Sequence, residues 1–152
     1  MSMPNYEAHF KEYAAAYERS LGQNVDSKAI RAFFAEGFVA ASTGGGARAG
    51  ANDEAFEQTL HQGYAFYKAI GTKHMEVQRV EAEPLYEGHD QVRVFYCAGY
   101  EKKDGTALTI SFDVMYLLQR RQDGPKIFAF VTGDEMAIYE KHGLVGKDGK
   151  PA

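Results

Sequence analysis

The chain of 152 residues carries a formal net charge of −4, with 45% hydrophobic and 25% charged residues. This length suits one domain with a buried core and is too short for two, and the balance of residue types is that of an ordinary globular protein. The negative charge is spread without long blocks of one sign, which excludes the clustered Lys and Arg that attract nucleic acids and anionic membranes, so we expect neither as a partner.

The first half of the chain carries apolar stripes with helical spacing. Asn5 and Asp26 can cap the first two helices, and a third begins near Asn52 or Asp53 and ends at Gly71. Each stripe lies on one face of its predicted helix, because its members recur at steps of three and four. The stripes are Tyr6, Phe10, Tyr13, Tyr17 and Leu21; Ile30, Phe33, Phe34 and Phe38; and Phe56, Leu60, Tyr64, Tyr67 and Ile70.

From Lys73 onward the apolar period changes to two, which predicts β-strands. Short connections rich in Gly and Asp join them, so consecutive strands should pair antiparallel in a meander. Strands of this length must bend, and Pro84 and Gly99 are the expected places. A short helix is expected within 134–145, and the tail 147–152 is expected to fray. The predicted strands are 75–88, 91–100, 107–119 and 126–133.

This order of elements resembles the nuclear transport factor 2 fold: two helices, a short strand at 38–42, a helix, then four long strands. The patterns FFAEGF and SFDVMYLLQ stand at the places that this fold leads one to expect. The resemblance runs from about Tyr6 to Ile138. It is closest to the small bacterial proteins called SnoaL-like, after a polyketide cyclase.

The resemblance implies an α+β cone, in which three N-terminal helices pack on a curved four-stranded antiparallel meander with a short extra strand. One domain would then span 1–152, with an ordered core over about 5–142. Members of the family bind apolar small molecules inside the cone. Some are dehydratases, isomerases, cyclases or epoxide hydrolases, and others only bind or form dimers. The fold alone does not choose between these functions.

Asp113 is the candidate proton-transfer residue, because it interrupts an apolar strand. A carboxyl group held among apolar side chains has a raised pKa and suits general acid/base catalysis. The resemblance also implies a carboxyl of this kind on a strand inside the cone. Alternation, however, places Asp113 on the face opposite Phe112 and Val114, toward water or a partner subunit, unless a bulge reverses it.

The tyrosines are the other candidates for a site. Tyr13 and Tyr17 lie one helical turn apart, and Tyr96 and Tyr116 lie on the apolar faces of adjacent strands. Their hydroxyls suit a carbonyl or enolate oxygen, although a plain core role is the alternative. In the leading hypothesis, Asp113 moves the proton while Tyr17 and Tyr116 stabilise the oxyanion. The expected ligand-binding residues are Tyr13, Phe34, Tyr64, Tyr67 and Tyr96.

This hypothesis describes a small-molecule-binding protein with a tyrosine-lined pocket, acting as a cofactor-free isomerase, dehydratase or cyclase. The alternative is a non-catalytic dimeric module for ligand binding or protein interaction. Gly44, Gly46 and Ala49 loosely fit a dinucleotide loop, but a meander is not the doubly wound sheet which that loop serves. We expect a loop or flap there instead. The histidines lack metal-ligand spacing, so neither a metal nor an organic cofactor is expected.

The sheet is also apolar on its second face, and a face of this kind is usually buried by a partner. We therefore predict a homodimer through the outer sheet face, formed by Phe95, Cys97, Met115, Leu117, Phe128 and Phe130. Cys97 is the sole cysteine, which excludes an internal disulfide. The N-terminus lacks the apolar core of a signal peptide, and no apolar run approaches the ~18 residues of a membrane span. The expected location is the cytoplasm.

Overall fold

The structure is a computed structural model that describes residues 2–152. Within this range the chain forms four helices and six strands. The helices are α1 (Tyr6–Ser20), α2 (Ser27–Arg31), α3 (Glu54–Ala69) and α4 (Glu135–Lys141). The strands are β1 (Phe34–Ser42), β2 (Ala47–Ala51), β3 (Thr72–Tyr86), β4 (His89–Glu101), β5 (Ala107–Gln119) and β6 (Lys126–Thr132).

Each helix begins at a side-chain oxygen that accepts a hydrogen bond from a backbone N–H of the first turn. This bond satisfies one of the donors that a helix leaves open at its start. The predicted caps Asn5 and Asp26 are confirmed, and Asp53 and Asp134 cap α3 and α4 in the same way. Four short-side-chain caps therefore fix where the helices start.

The strands form one mixed sheet in the order β2-β1-β6-β5-β4-β3. The predicted meander is confirmed as β3 to β6, with antiparallel pairing throughout. The sheet is larger than predicted, because β1 adds to β6 in parallel and β2 pairs with β1. Register shifts occur at Pro84 and beside Gly99, the two expected bends, and β3 lies at the edge of the sheet.

The second helix is much shorter than predicted. It ends at Arg31, and Phe34 and Phe38 belong to β1. The side-chain amide of Asn52 donates to the carbonyl oxygens of Arg31 at 2.8 Å and of Phe34 at 3.1 Å, and so holds the chain where it leaves the helix. Pairing of β1 with β6 from the far end of the chain overrides the helical spacing of these phenylalanines.

The glycine-rich segment is a hairpin, not the expected loop or flap. Its turn lies between β1 and β2, with Gly44 at a φ of 85°. Glycine suits this position because the φ value is one that other residues rarely adopt, and a Cβ here would lie only 2.8 Å from Oδ2 of Asp134. The backbone N–H of Thr43 donates to the carbonyl of Thr132 at 3.0 Å. The hairpin turn is thus held against the junction of β6 and α4.

The C-terminal tail is also more ordered than predicted. Val145 pairs with Pro151, and the backbone N–H of Ala152 donates to the carbonyl of Leu144 at 3.0 Å. Leu144 and Val145 are buried beside α4. Apolar contacts therefore continue past the predicted end of the core.

The core lies between the helices and one face of the sheet, called here the inner face. This face is formed by alternate residues of the long strands, which pack against Phe10 and Ala14 of α1. Burial of these side chains is the main stabilising contribution to the fold. The inner face comprises Val92, Val94, Tyr96, Val114, Tyr116 and Leu118.

One buried ion pair lies in this core, next to the turn that joins β3 to β4. Asp90 is 0% exposed and accepts hydrogen bonds from Nε of Arg120 at 2.8 Å and from Nη2 at 2.6 Å. The hydroxyl of Tyr6 donates to the same carboxylate at 2.6 Å. This geometry holds the start of β4 against α1 and the end of β5.

Candidate functional site

A cavity of about 340 Å³ lies between the inner face and helices α1, α3 and α4. Eight tyrosines and four phenylalanines line it. Every predicted ligand-binding residue is among them, together with two of the three predicted catalytic residues. The predicted residues in the wall are Tyr13, Tyr17, Phe34, Tyr64, Tyr67, Tyr96 and Tyr116.

Simple periodicity brings these side chains together. Tyr13 and Tyr17 lie on one face of α1, and Tyr64 and Tyr67 lie on one face of α3, because residues three or four apart share a side of a helix. The rings of Tyr17, Tyr64 and Tyr67 pack with centroids 5.0 to 5.5 Å apart. These three rings therefore form one packed cluster in the cavity wall.

Tyr96 and Tyr116 form the polar centre of the cavity floor. Their hydroxyl oxygens lie 2.8 Å apart, and both residues are buried. Burial raises the pKa of both hydroxyls well above the ordinary value, so both keep their protons at neutral pH. Because one hydroxyl donates to the other, one O–H of the pair remains to donate to a ligand oxygen.

Sequence reasoning missed the carboxyl group in this cavity, which belongs to Glu135. It is the first residue of α4, directly after the cap Asp134, and its half-buried side chain lines the wall. Burial raises its pKa to about 6. The only local signal was an acidic pair after the last strand, which reads equally well as a plain helix start.

The carboxylate of Glu135 acts on the surrounding hydroxyls. Burial comes first, and the negative charge of Glu135 second, in raising the pKa of Tyr13, Tyr67 and Tyr139. These residues come from α1, α3 and α4. The cavity thus combines one carboxyl that titrates near neutrality with neutral hydroxyl donors, as acid/base chemistry requires.

A family model described as NTF2-like protein (DUF6841) matches residues 4–135. The chain belongs to this family. The predicted nuclear transport factor 2-like fold is therefore confirmed. No curated protein matches the sequence.

Solved structures with the same fold share little sequence with this NTF2-like chain. A ketosteroid isomerase-like protein from Erwinia carotovora atroseptica is 18% identical, with a TM-score of 0.56 over 84% of this chain and 91% of that one. An NTF2-like protein with a cystatin-like fold from Novosphingobium aromaticivorans is 14% identical (TM-score 0.61, 84% and 80% covered). A candidate dehydratase from Streptomyces avermitilis is 11% identical (TM-score 0.60, 84% and 91%). Such identities show the fold alone.

Asp113 lies on the outer face of the sheet, as alternation favoured, and this contradicts the hypothesis that it transfers a proton inside the cavity. The pairing of β5 with β4 runs without a register shift through this residue, so no bulge reverses its direction. The side chain is 43% exposed on the face opposite Phe112 and Val114, and its Oδ2 accepts a 2.8 Å hydrogen bond from Nε of Arg93. Asp113 therefore forms a surface ion pair and does not reach the cavity of this NTF2-like protein.

The prediction for Phe130 is also wrong, in the opposite sense to that for Asp113. It was assigned to the outer sheet face, but it lines the cavity and its ring centroid lies 6.1 Å from that of Phe34. The cause is a register shift, since Leu117 pairs with Ala129 while Leu118 pairs with Ile127. The extra residue in β6 reverses the alternation beyond it.

The cavity reaches solvent beside α3. Thr59 lines it and is exposed, and Gly63 lies one turn further along the same helix. A Cβ added at Gly63 would meet no atom within 4 Å. Thr59 therefore marks a place where the cavity lining meets the protein surface.

Two further features bear on the site. Within residues 2–152, no three His, Cys, Asp or Glu side chains converge in a group that could hold a metal ion. Over the same range, no helix combines the length and the apolar character that a membrane crossing needs.

Proposed function

We propose that this protein binds an apolar, ring-containing carbonyl compound and catalyses a cofactor-free proton transfer on it, with Glu135 as the base. The observation that carries the proposal is the position of Glu135, a carboxyl with a pKa raised by burial to about 6 in the wall of an otherwise uncharged, largely aromatic cavity. A base with this pKa is ionised at neutral pH and still accepts a proton readily. Isomerisation is the simplest reaction of this class, and dehydration or cyclisation can begin with the same step.

The proton transfer uses two parts of the cavity. Glu135 removes a proton from the carbon next to the carbonyl. The electron pair of that C–H bond forms a C=C bond, and the π pair of the carbonyl moves onto its oxygen. The remaining O–H of the Tyr96–Tyr116 pair donates to this oxyanion. The negative charge passes from the carboxylate to the ligand, so the cavity holds one negative charge throughout. In a substrate with a C=C bond next to the α-carbon, Glu135 then returns the proton to the far carbon of that bond, and the double bond moves into conjugation with the re-formed carbonyl.

Other observations support the proposal. Tyr13, Tyr17 and Tyr64 extend the apolar wall against which rings can stack. A volume of about 340 Å³ lies within the usual range for small-molecule sites. Two structures with this fold carry the names ketosteroid isomerase-like protein and candidate dehydratase. Isomerisation and dehydration are both reactions of the proposed class.

Deuterium exchange tests the proposal without knowledge of the natural substrate. A panel of neutral cyclic ketones is incubated with the protein in D₂O, and loss of the α-proton signal is followed by NMR. We expect exchange with the native chain and with Glu140→Gln, a change at an exposed position of the same helix. Glu135→Gln should lower the exchange rate by a factor of about 10² to 10⁴. Equal rates for the two variants would remove Glu135 from the mechanism.

The second candidate function is a non-catalytic dimeric binding module, favoured by the outer sheet face. Val39 and Val131 are 41% and 49% exposed there, next to half-buried Met115 and Leu117. Arg79 stacks over the ring of Phe95 with 3.8 Å between its Cζ and the ring centroid, which gives this face a charged border. We propose that two copies associate through this face.

Light scattering at micromolar concentration tests the association. We expect twice the 16.9 kDa mass of one chain for the native protein. A charge at the centre of the face, in Val131→Asp, should shift the mass toward one chain, whereas Ala55→Asp, at an exposed position of α3 on the helical side of the sheet, should not. A native mass of one chain would contradict the dimer.

A further inference from the structure

The wall of the cavity carries charge of only one sign. Among residues 2–152, Glu135 is the one carboxyl that lines it, and no Lys, Arg or His side chain lines it. The same part of the chain contains ion pairs elsewhere, but none of them involves Glu135. Above neutral pH the protein itself therefore supplies no cationic partner for this carboxylate within the described residues.

A half-buried carboxylate without a counter-ion discriminates between ligands by charge. An anionic ligand would bring a second negative charge into an apolar space, which is strongly unfavourable. A neutral ligand would remove water from the carboxylate without supplying a compensating charge. A cationic ligand would supply the missing positive charge, because opposite charges attract most strongly where water is excluded.

The remaining wall also favours a cation. It consists largely of aromatic rings, whose π-faces attract ammonium groups, and this attraction grows when the cation is desolvated. Tyrosine hydroxyl oxygens can in addition accept hydrogen bonds from an N–H group. The cluster of Tyr17 from α1 with Tyr64 and Tyr67 from α3 provides such rings.

We infer that the ligand is an organic cation, an apolar ring system that bears an alkylammonium group, with the ammonium beside Glu135 and the rings against the aromatic wall. This inference rests on the proposed function in that both use the same cavity and the same carboxylate. It narrows the substrate class, because the positive charge would stabilise the carboxylate before proton transfer and the oxyanion after it. Carboxylates, phosphates and sulfonates are thereby excluded as ligands.

Three probes of the same shape and different charge test the inference. They are benzyltrimethylammonium, its neutral carbon isostere neopentylbenzene, and the anion phenylmethanesulfonate, with dissociation constants measured by calorimetry at pH 7.5. We expect the cation to bind about tenfold more tightly than the neutral isostere, and the sulfonate to bind most weakly. Neutral binding equal to that of the cation, or tighter sulfonate binding, would overturn the inference.

Variants identify the source of the preference. Glu135→Gln should bring the cation and the neutral isostere to similar affinities, while Glu140→Gln should keep the native ratio. These affinity ratios do not depend on whether the protein catalyses a reaction. A cation preference without deuterium exchange on ketones would remove the base role and leave the inference standing, and exchange without a cation preference would do the reverse.

Proton linkage gives a second readout with a defined sign. The titratable groups that face Glu135 are tyrosines, all protonated at pH 6, so a proton exchanged on binding comes from Glu135 itself. At pH 6 the cation should release protons, because it favours the carboxylate, whereas the neutral isostere should take them up. Calorimetry in two buffers of different ionisation enthalpy measures this sign, and proton uptake with the cation would contradict the inference. The tyrosines are Tyr13, Tyr67, Tyr96, Tyr100, Tyr116 and Tyr139.

Discussion

Replacing Asp90 by alanine is expected to lower the free energy of unfolding by about 3–5 kcal/mol, a large part of the stability of a domain of this size. The carboxylate is fully buried and accepts hydrogen bonds from Arg120 and from the hydroxyl of Tyr6. In the variant, the guanidinium of Arg120, whose side chain is only 13% exposed, loses this carboxylate. It also leaves a buried hydroxyl without its acceptor, and both losses are costly away from water.

Asp113→Ala is the matched control for this prediction. It also removes an Asp that pairs with an Arg on this sheet, but the Arg93–Asp113 pair is solvent-exposed. Exposed pairs contribute about 0–1 kcal/mol, so this variant should unfold close to the native chain in urea. Similar losses for the two variants would mean that the Asp90 pair has no special role in the fold.

The pH dependence of the Asp90 contribution has a defined sign. The hydrogen bonds from Arg120, followed by the bond from Tyr6, lower the pKa of Asp90 in the folded chain, although burial opposes them. The stability that the carboxylate provides is therefore present above about pH 4, the value for an unfolded aspartate. It is lost as the pH falls through the lower pKa of the folded state, so the difference between the native chain and Asp90→Ala should narrow only in acid.

The long strands were predictable because a two-residue period is a local property. Alternation along β4 and β5 correctly assigned Tyr96 and Tyr116 to the inner face and favoured the outer face for Asp113. It failed at Phe130, beyond the register shift in β6. A shift of this kind depends on how two strands pair, and no pattern within one strand reveals it.

The first hairpin of the sheet could not be predicted in the same way. Phe34 and Phe38 fit a helical stripe as well as a strand, and glycine and alanine in β2 have low strand propensity. What decides the structure is parallel pairing of β1 with β6, almost a hundred residues away in the sequence. Contacts at that separation override local preference.

The candidate site shows the same division between local and long-range information. Helical and strand periods place Tyr13, Tyr17, Tyr64 and Tyr67 in one wall, so the tyrosine-lined cavity was predictable. The carboxyl was not, because Glu135 reaches the cavity only through the packing of α4, whose Tyr139 lines the same cavity and packs against β4 and β5. A carboxyl within an apolar strand attracts attention in a sequence, whereas one at a helix start looks ordinary.

Replacing Glu135 by glutamine is expected to stabilise the fold above pH 6 while it abolishes proton exchange. Burial raises the pKa of Glu135 from 4.5 to about 6 in the folded chain, so folding disfavours the charged form. Below about pH 4.5 the carboxyl is protonated in both states and costs nothing. As the pH rises through 6, the folded chain must hold a buried carboxylate and loses stability. Glutamine avoids this loss, which partial exposure limits to about 1–2 kcal/mol.

Urea unfolding at pH 4.5 and pH 7.5 checks this sign. Glu135→Gln should match the native chain at pH 4.5 and exceed it at pH 7.5, and Glu140→Gln, at an exposed position of α4, should stay within about 0.5 kcal/mol at both. A less stable Glu135→Gln at pH 7.5 would make the carboxylate a structural group and contradict its role as base. If Glu135→Gln instead gains stability and loses proton exchange, Glu135 is a functional group that lowers the stability of the fold. The native chain would then keep Glu135 for its chemistry, since the fold is better without the charge.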